Sequence, residues 1–405
     1  MGRRNVLTAI DVGTTKVVTI IGEVYEGGDM RVIGVGINPS KGLHKALVVN
    51  IGEATESIRE SLRRAERAAN YRVESAYIGV TGRHVSSTNN KGVVAITRND
   101  RLVRSEDLRR VLSSAQSIRV PGDRKLLHVI PRDYTVDGQP GVKNPVGMHG
   151  FRLDVETHVI TAAVTSVQNL VKCVRSAGVD VDELVLEPLA SAEAVLTEDE
   201  KQAGVILADV GGGTTDIAVF KDGSIYHTSV LPVAGYQLTR DISIGLGIPM
   251  DVAEQMKKKY ASVMPVYEGK SETSPMISTD GHGVSYQDLC DIVRARIEEI
   301  LKLILLELPY ADYEKLVPAG LVLTGGTSNL PGIEVLARDV LRLPVRVGAP
   351  VAMHGIGDVL RDPAYATGVG LLLWGAKYEG KRLWKSRGFG FGLRRIVSQL
   401  ANLFR

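Results

Sequence analysis

Cysteine and aromatic side chains are scarce, and each scarcity removes a class of protein. The two cysteines, Cys173 and Cys290, stand far apart with no CxxC or Cys/His grouping. A disulfide framework and a thiolate metal site are therefore excluded, and two buried, reduced thiols of a cytosolic protein are expected. Aromatics make up 5% of the 405 residues, so cores must be built from Val, Leu, Ile and Ala. With 44% apolar residues the chain has material for two cores. Long apolar runs are missing as well. The longest, residues 300–308, is interrupted by Lys302 and Glu307 and falls short of a membrane-spanning helix. The opening Met1-Gly-Arg-Arg-Asn5 has no apolar segment, so no secretory signal is expected. A myristoylation signal after Gly2 would want Ser or Thr where Val6 stands.

Net charge is small, +3, but unevenly placed. From Lys377 to Arg405 eight basic residues face one acid, Glu379, giving +7 there and leaving −4 on residues 1–376. A mildly acidic body gives no reason to expect nucleic acid. The basic tail carries no pattern of aromatics for stacking on bases, so it needs another explanation.

What is present is a motif written twice. Asp11-Val-Gly-Thr-Thr-Lys16 and Asp209-Val-Gly-Gly-Gly-Thr-Thr-Asp216 stand almost 200 residues apart. An apolar run precedes each (6–10 and 205–208) and another follows (17–21 and 217–220), so each reads as strand, tight turn, strand. One such turn is ordinary hairpin chemistry. Two, in halves of similar element order, suggest two half-clamps on one phosphate chain. Gly13, Thr14 and Thr15 in the first, and Gly211, Gly212, Gly213 and Thr214 in the second, offer bare N–H groups and hydroxyls to phosphate oxygens. Lys16 adds a point charge. Asp11 and Asp209 would lie close across a cleft, where hydrated Mg2+ is their natural partner.

Around these turns strands and helices alternate. Residues 4–80 read as strand, hairpin, strand, a helix at 51–70 with Ile58, Leu62 and Ala65 on one face, and a buried strand at 77–80. Residues 84–157 break the rhythm. A strand at 92–97, a helix at 106–118 that Ser105 could cap, a strand at 126–134 and a Gly/Pro-rich loop at 137–150 suggest a small inserted α+β module. Strand 158–164, helix 167–177 and strand 183–186 restore the pattern. The second half adds a strand at 225–231 and helices at 236–244, 250–260 and 286–308, with a polar, exposed loop at 269–283. A strand at 321–323 and helices at 333–341 and 365–374 follow. The expectation is an α/β fold of two duplicated lobes, each with an insertion, and a ligand between them. The divisions expected are 1–83 with 158–190, the module 84–157, 191–235 with 317–375, a helical insertion 236–316, a basic linker 376–388 and a final helix 389–405.

A third element, Thr324-Gly-Gly-Thr-Ser-Asn-Leu-Pro-Gly332, follows a buried strand. Gly325 and Gly326 let the backbone approach a flat base or ribose, with Thr327 and Asn329 beside them, and the next helix would turn its free N–H groups toward the cleft. Alone, it could be a plain turn between strand and helix. Two phosphate hairpins followed by a Gly-Gly nucleoside loop resemble the actin-like ATPase superfamily over about residues 5–375. The resemblance implies the two-lobed actin-like ATPase fold of duplicated ribonuclease-H-like domains, binding ATP and Mg2+. It also implies that Glu187, in Glu187-Pro188 before an Ala-rich helix, polarises the attacking water; an acid stabilised by the start of a helix is the plainer reading. Glu254 and Lys257 resemble the superfamily's Glu-x-x-Lys pair beside ribose and adenine, against the alternative of a solvated charged face.

The tail narrows the resemblance. On a wheel of about 100° per residue, Phe389, Leu393, Ile396, Val397, Leu400, Leu403 and Phe404 fall within an arc of about 120°, with Arg394, Arg395 and Arg405 on the other side. Such a helix suits an anionic membrane surface, and docking on the protein's own core is the alternative. With the placement of the module at 84–157, the whole chain resembles the bacterial cell-division FtsA family. That resemblance implies a peripheral scaffold at the division site, on the cytoplasmic face of the inner membrane. It would polymerise, tether the tubulin-like division protein FtsZ, meet other division proteins and turn over ATP slowly at most. The module would supply contacts between copies. The helix matching residues 288–306 would dock the FtsZ C-terminal tail through Arg294, Arg296 and Glu299, which could equally form an ordinary charged face. An adaptor of pilus or secretion machinery shares the body but usually lacks the terminal helix. A kinase or phosphatase of this fold would need a catalytic acid and substrate pocket that we do not identify.

Overall fold

The computed structural model describes residues 5–25, 30–117, 120–264, 275–309, 313–351, 354–355 and 357–378. The chain opens on an antiparallel meander, β1 (Asn5–Val12), β2 (Lys16–Val24) and β3 (Met30–Pro39). β1 and β2 are buried on both faces, so they read as continuous apolar runs. A short hairpin, β4 (Leu43–His44) and β5 (Leu47–Val48), leads to α1 (Ile51–Ala69). The Asn50 side chain accepts the Glu53 N–H at its start, and Asn70, left-handed at φ 46°, ends it. Helix α1 lies so close on β3 that a Cβ at Gly36 would fall 1.9 Å from the Ser61 carbonyl oxygen. Strand β6 (Ser75–Val80) then pairs parallel with β1.

The inserted module comprises β7 (Val85–Ala95), α2 (Ser105–Gln116), β8 (Arg124–Val136), β9 (Gln139–Val142) and β10 (Arg152–Ala163). Its sheet runs β7-β10-β8-β9 and packs on α2 around Ile96, Val111, Ala115 and Leu153. The strands exceed their apolar signal. β7 starts at Val85, not near 92, because the polar run that opens it pairs fully with β10 without any apolar alternation to reveal it. β10 starts at Arg152, so a division at 157/158 falls inside a strand, and β9 occupies part of the loop expected at 137–150. Ser105 is the first residue of α2 and not its cap. The buried Asp107 carboxylate accepts the Arg104 N–H at 2.9 Å instead, and Arg98 and Arg110 pair with it.

α3 (Val164–Ser176) and β11 (Asp180–Leu186) complete a first sheet in the order β11-β6-β1-β2-β3, extended past β3 by residues 354–355. α4 (Glu187–Val195) and α5 (Glu198–Ala203) lead into the second lobe, so a division at 190/191 falls inside a helix. A second meander, β12 (Val205–Val210), β13 (Thr215–Lys221) and β14 (Ser224–Leu231), is followed by α6 (Gly235–Leu246) and α7 (Met250–Tyr260). Next come the hairpin β15 (Met276–Thr279) and β16 (His282–Ser285), α8 (Tyr286–Leu306) and α9 (Tyr313–Leu316). β17 (Leu321–Thr324), α10 (Ile333–Leu341), β18 (Val345–Val347) and α11 (Ala366–Tyr378) finish the described chain. The second sheet, β14-β13-β12-β17-β18, has the same meander and two parallel strands as the first, so the duplication is explicit in the topology.

Two expectations are corrected here. The polar stretch read as an exposed loop contains the β15–β16 hairpin, turned by Asp280-Gly281 with both φ positive (49° and 81°), a pairing favoured in two-residue hairpins. α11 runs to Tyr378, into the linker expected at 376–388. The Trp374 ring packs on Tyr378 at 4.4 Å and Lys377 reaches Glu193 at 2.8 Å, which extends the helix. Residues 379–388 and the amphipathic segment 389–405 lie outside the described residues.

α1 and α3 cover the outer face of the first sheet, and α6, α7, α8 and α10 that of the second. Between the sheets lies a shared layer of α4 and α11. One apolar cluster joins Leu7, Ala9, Val18 and Ile20 of the first sheet to Val205, Leu207 and Ala218 of the second through Leu189, Ala190, Val369 and Leu372. The two helices touch through glycine, since a Cβ at Gly370 would fall 1.8 Å from the Ala190 carbonyl oxygen. Overpacking of this kind costs about 1–3 kcal/mol. Gly370→Ala should therefore lower the unfolding free energy by that amount, read as a lower urea midpoint with an unchanged m-value.

Candidate functional site

Each central strand ends in an acid, and the turns after them meet. β1 ends at Asp11-Val12 and β12 at Asp209-Val210. Both turns line one cleft. Asp11, Gly13, Thr14, Thr15 and Lys16 come from the first lobe. Asp209, Gly211, Gly212, Gly213, Thr214, Gly325 and Gly326 come from the second. The tips touch: a Cβ at Gly212 would fall 2.2 Å from Thr15 Cγ2, and one at Gly213 2.4 Å from Thr14 Oγ1. Only glycine permits this approach. Gly325 has φ 84°, and a Cβ there would fall 2.3 Å from Asp209 Oδ1, so the third loop also presents bare backbone.

Four carboxyl groups, Asp11, Glu187, Asp209 and Asp216, stand in the cleft, each less than a tenth exposed, with Lys16 the ammonium among its lining residues. Burial pushes the Asp11 carboxyl up to about 7; Lys16 pulls it down and Asp209 adds to the rise. Asp216 is also pushed up to about 7, by burial first, with the Thr81 hydroxyl opposing and Asp209 reinforcing. Glu187 is held well above the carboxylate range by burial, then by Asp11, Asp216 and Asp209. Asp209 is raised by burial against hydrogen bonds from Ser191 (2.7 Å) and Thr367 (3.1 Å). Burial lowers the Lys16 ammonium despite the nearby acids, and its Nζ sits 4.2 Å over the Tyr365 ring. The cleft thus carries more acid than it readily ionises, and protons fill the deficit.

The other expected residues divide. Glu187 lines the cleft, at the start of α4 as its sequence suggests. Thr327 and Asn329 do not line it. The Thr327 hydroxyl donates to the Gly211 carbonyl at 2.9 Å, and Asn329 donates to Asp362 at 2.7 Å. The loop after Gly325 is a short 3-10 turn, Gly326–Asn329, so the start of α10 does not line the cleft either. Glu254 and Lys257 sit beside the cleft on α7. Lys257 Nζ donates to Glu254 (2.6 Å), Thr239 (2.8 Å) and the Gly235 carbonyl (3.1 Å).

On α8 the expectation of three exposed residues is corrected. Only Glu299 is exposed; Arg296 bonds Asp241 of α6 at 2.5 Å and also pairs with Glu299, while Arg294 pairs with Glu298 at 3.1 Å. The arginines lie down on their neighbours because carboxylates stand one turn or one helix away.

Several lining residues were not anticipated. Asp216 follows Thr214-Thr215 as Lys16 follows Thr14-Thr15, so the duplication itself marked it. Thr81 donates to Asp216 across the lobes, and a Thr-Gly pair follows the same point of both sheets, Thr81-Gly82 after β6 and Thr324-Gly325 at the end of β17. Thr367, which lines the cleft, and Ser191, which does not line it but bonds Asp209, gave no signal, since a hydroxyl within a small-residue helix has no spacing to detect.

A carboxyl whose folded pKa lies above its unfolded value keeps a proton that the unfolded chain has released. Stability then falls as pH rises from about 4 to about 7. Asp216→Asn removes one such group. Its melting temperature, relative to the unsubstituted protein without nucleotide, should gain as pH is raised from 5 to 7.5. Taking the difference cancels His128 and His158, whose lowered pKa values of about 4 and about 3 act in the opposite sense. A constant gap across the series would contradict the assignment.

The chain resembles known proteins in both sequence and fold. The family model for cell division protein FtsA matches residues 206–370, and that for the SHS2 domain inserted in FtsA matches residues 82–161, where the four-stranded module lies. The chain is 45% identical to the cell division protein FtsA of Pseudomonas aeruginosa, covering 92% of this chain and 90% of that one. It is 37% identical to that of Escherichia coli K12 (92% and 90%) and 38% identical to that of Bacillus subtilis (95% and 87%). Among solved structures it matches a chain of the PilM-PilN type IV pilus biogenesis complex with TM-score 0.65 at 18% identity, covering 91% and 98%. It matches MreB5 of Spiroplasma citri bound to ADP with TM-score 0.55 at 14% identity, covering 93% and 97%. These structures share its actin-like ATPase fold, and at such identities the likeness speaks for the fold alone. With 37–45% identity over some nine-tenths of its length, and both family models matched, this chain belongs to the FtsA family of bacterial cell-division proteins.

Proposed function

We propose that this FtsA-family protein grips ATP and Mg2+ between its lobes, assembles into filaments, and ties FtsZ to the cytoplasmic face of the cell membrane. The observation that carries the reading is the facing pair of acid-glycine-threonine turns in one acid-rich cleft. Backbone N–H groups of Gly13, Gly212 and Gly213, the hydroxyls of Thr14 and Thr15, and the Lys16 ammonium would hold phosphate oxygens, while the Gly211 N–H donates to the Thr214 carbonyl at 2.9 Å and the Thr214 hydroxyl to Asp216 at 3.1 Å, bracing the second turn. Bound Mg2+ would supply the positive charge that the four carboxyls lack. Among the described residues no three His, Cys, Asp or Glu side chains are grouped to hold an ion directly, which suits a hydrated ion held through water by Asp11 and Asp209. Glu254 and Lys257, beside the cleft, remain candidates for the ribose and base.

Glu187 stands where it could orient a water. Burial, then Asp11, Asp216 and Asp209, raise its carboxyl above the usual range. We assign the bound nucleotide a structural use, with turnover slow at most. Fixing the angle between lobes would present matched surfaces for head-to-tail contact, a heterologous interface that grows into filaments. The module between β7 and β10 is the proposed contact. The FtsZ C-terminal tail would dock along α8, with Glu299 open and the two arginines exchanging intramolecular carboxylates for those of the peptide.

Membrane residence is assigned to residues 389–405. A single such helix binds reversibly, comparable to one lipid anchor at about 10⁴ M⁻¹. Linking several along a filament raises avidity by about 10²–10⁴. The full chain should therefore pellet with anionic vesicles, and more strongly with ATP than without. A chain ending at Gly388 should stay in the supernatant under both conditions while still binding ATP. Equal pelleting of the shortened chain would refute the anchor.

A further inference from the structure

The hairpin of β4 and β5 in the first lobe and the start of α6 in the second reach one another beside the phosphate turns. The His44 and Tyr236 rings meet edge to face, centroids 5.8 Å apart and planes at 87°. Each side is tied to a different turn. The Ala46 N–H donates to Thr14 Oγ1 at 3.1 Å, and the Tyr236 N–H donates to the Gly212 carbonyl at 2.7 Å. An unbroken path therefore runs from the first turn through the hairpin, across two rings, to the second turn.

The hairpin is built to hold this position. Lys45 and Ala46 at its tip both have positive φ, 47° and 63°, without being glycine, a strained choice kept up by the surrounding contacts. At its base the Gly42 carbonyl accepts both the Val49 and Asn50 N–H groups, at 2.8 and 3.1 Å. Ala46 itself lines the cleft. Because the Thr14 hydroxyl accepts from Ala46, its proton stays free to donate to a phosphate oxygen, so ligand binding and hairpin docking use the same atom without competing.

We propose that His44 and Tyr236 are positioning residues that clasp the lobes over bound nucleotide and set its rate of release. The proposal rests on the nucleotide reading of the cleft. An edge-on ring pair corresponds to a factor of about 2–12 in a rate. His44 is exposed and Tyr236 is 41% exposed, so truncating either leaves the core intact.

The test is stopped-flow release of a fluorescent N-methylanthraniloyl-ATP, with Mg2+ and excess ATP as chase, from the full chain. His44→Ala and Tyr236→Ala should each speed release within that range. The double variant should add nothing to either single one, and Tyr236→Phe, which keeps the ring, should match the unsubstituted protein. Melting curves check that each variant is folded. Unchanged release in the folded single variants, or additive effects in the double, overturns the clasp alone. Failure of the unsubstituted chain to bind the probe overturns the nucleotide reading and the clasp with it.

Discussion

An excess of buried acid between two glycine turns is the constraint on which the rest of this structure depends. Asp11, Glu187, Asp209 and Asp216 share a cleft lined by the ammonium of Lys16, and burial lifts every one of the four carboxyls. A fold stabilised for its own sake would not gather them. Such a cluster is costly unless opposite charge compensates it, and this supports the proposed reading of the cleft as a site for a charged ligand.

The same cleft is wired into the layer that joins the lobes. Asp209 accepts hydrogen bonds from Ser191 of α4 and Thr367 of α11, the two helices packed between the sheets. Asp216 of the second lobe accepts from Thr81 of the first. Charge entering the cleft therefore acts on groups that hold the lobes in register. Local electrostatics can in this way set an angle between bodies, provided the packed layer has more than one arrangement. The proposed function takes these contacts as its physical link between ligand state and assembly.

Much of this was legible in the sequence because it repeats. The two acid-glycine-threonine turns were visible as strings, and the structure faces them across one cleft, since each follows the first strand of an identically ordered sheet. α1 was legible from the spacing of Ile58, Leu62 and Ala65. Features without periodicity were hidden. β7 opens on a polar run with no apolar alternation, and the β15–β16 hairpin showed only an Asp-Gly pair within a polar run. Within the site, Glu187 was legible by position, whereas Ser191 and Thr367 depend on helices brought together in space. Thr327 and Asn329 lay beside the right glycines, but their side chains bond Gly211 and Asp362 instead of lining the cleft.

Isothermal titration of the full chain with ATP near pH 7, in buffers of different ionisation enthalpy and with Mg2+ or a chelator, tests the central claim most directly. If the cleft awaits a cation, tight binding requires Mg2+, and protons are released as carboxyls with pKa values of about 7 ionise. Equal affinity in chelator, or heats independent of the buffer, would contradict it.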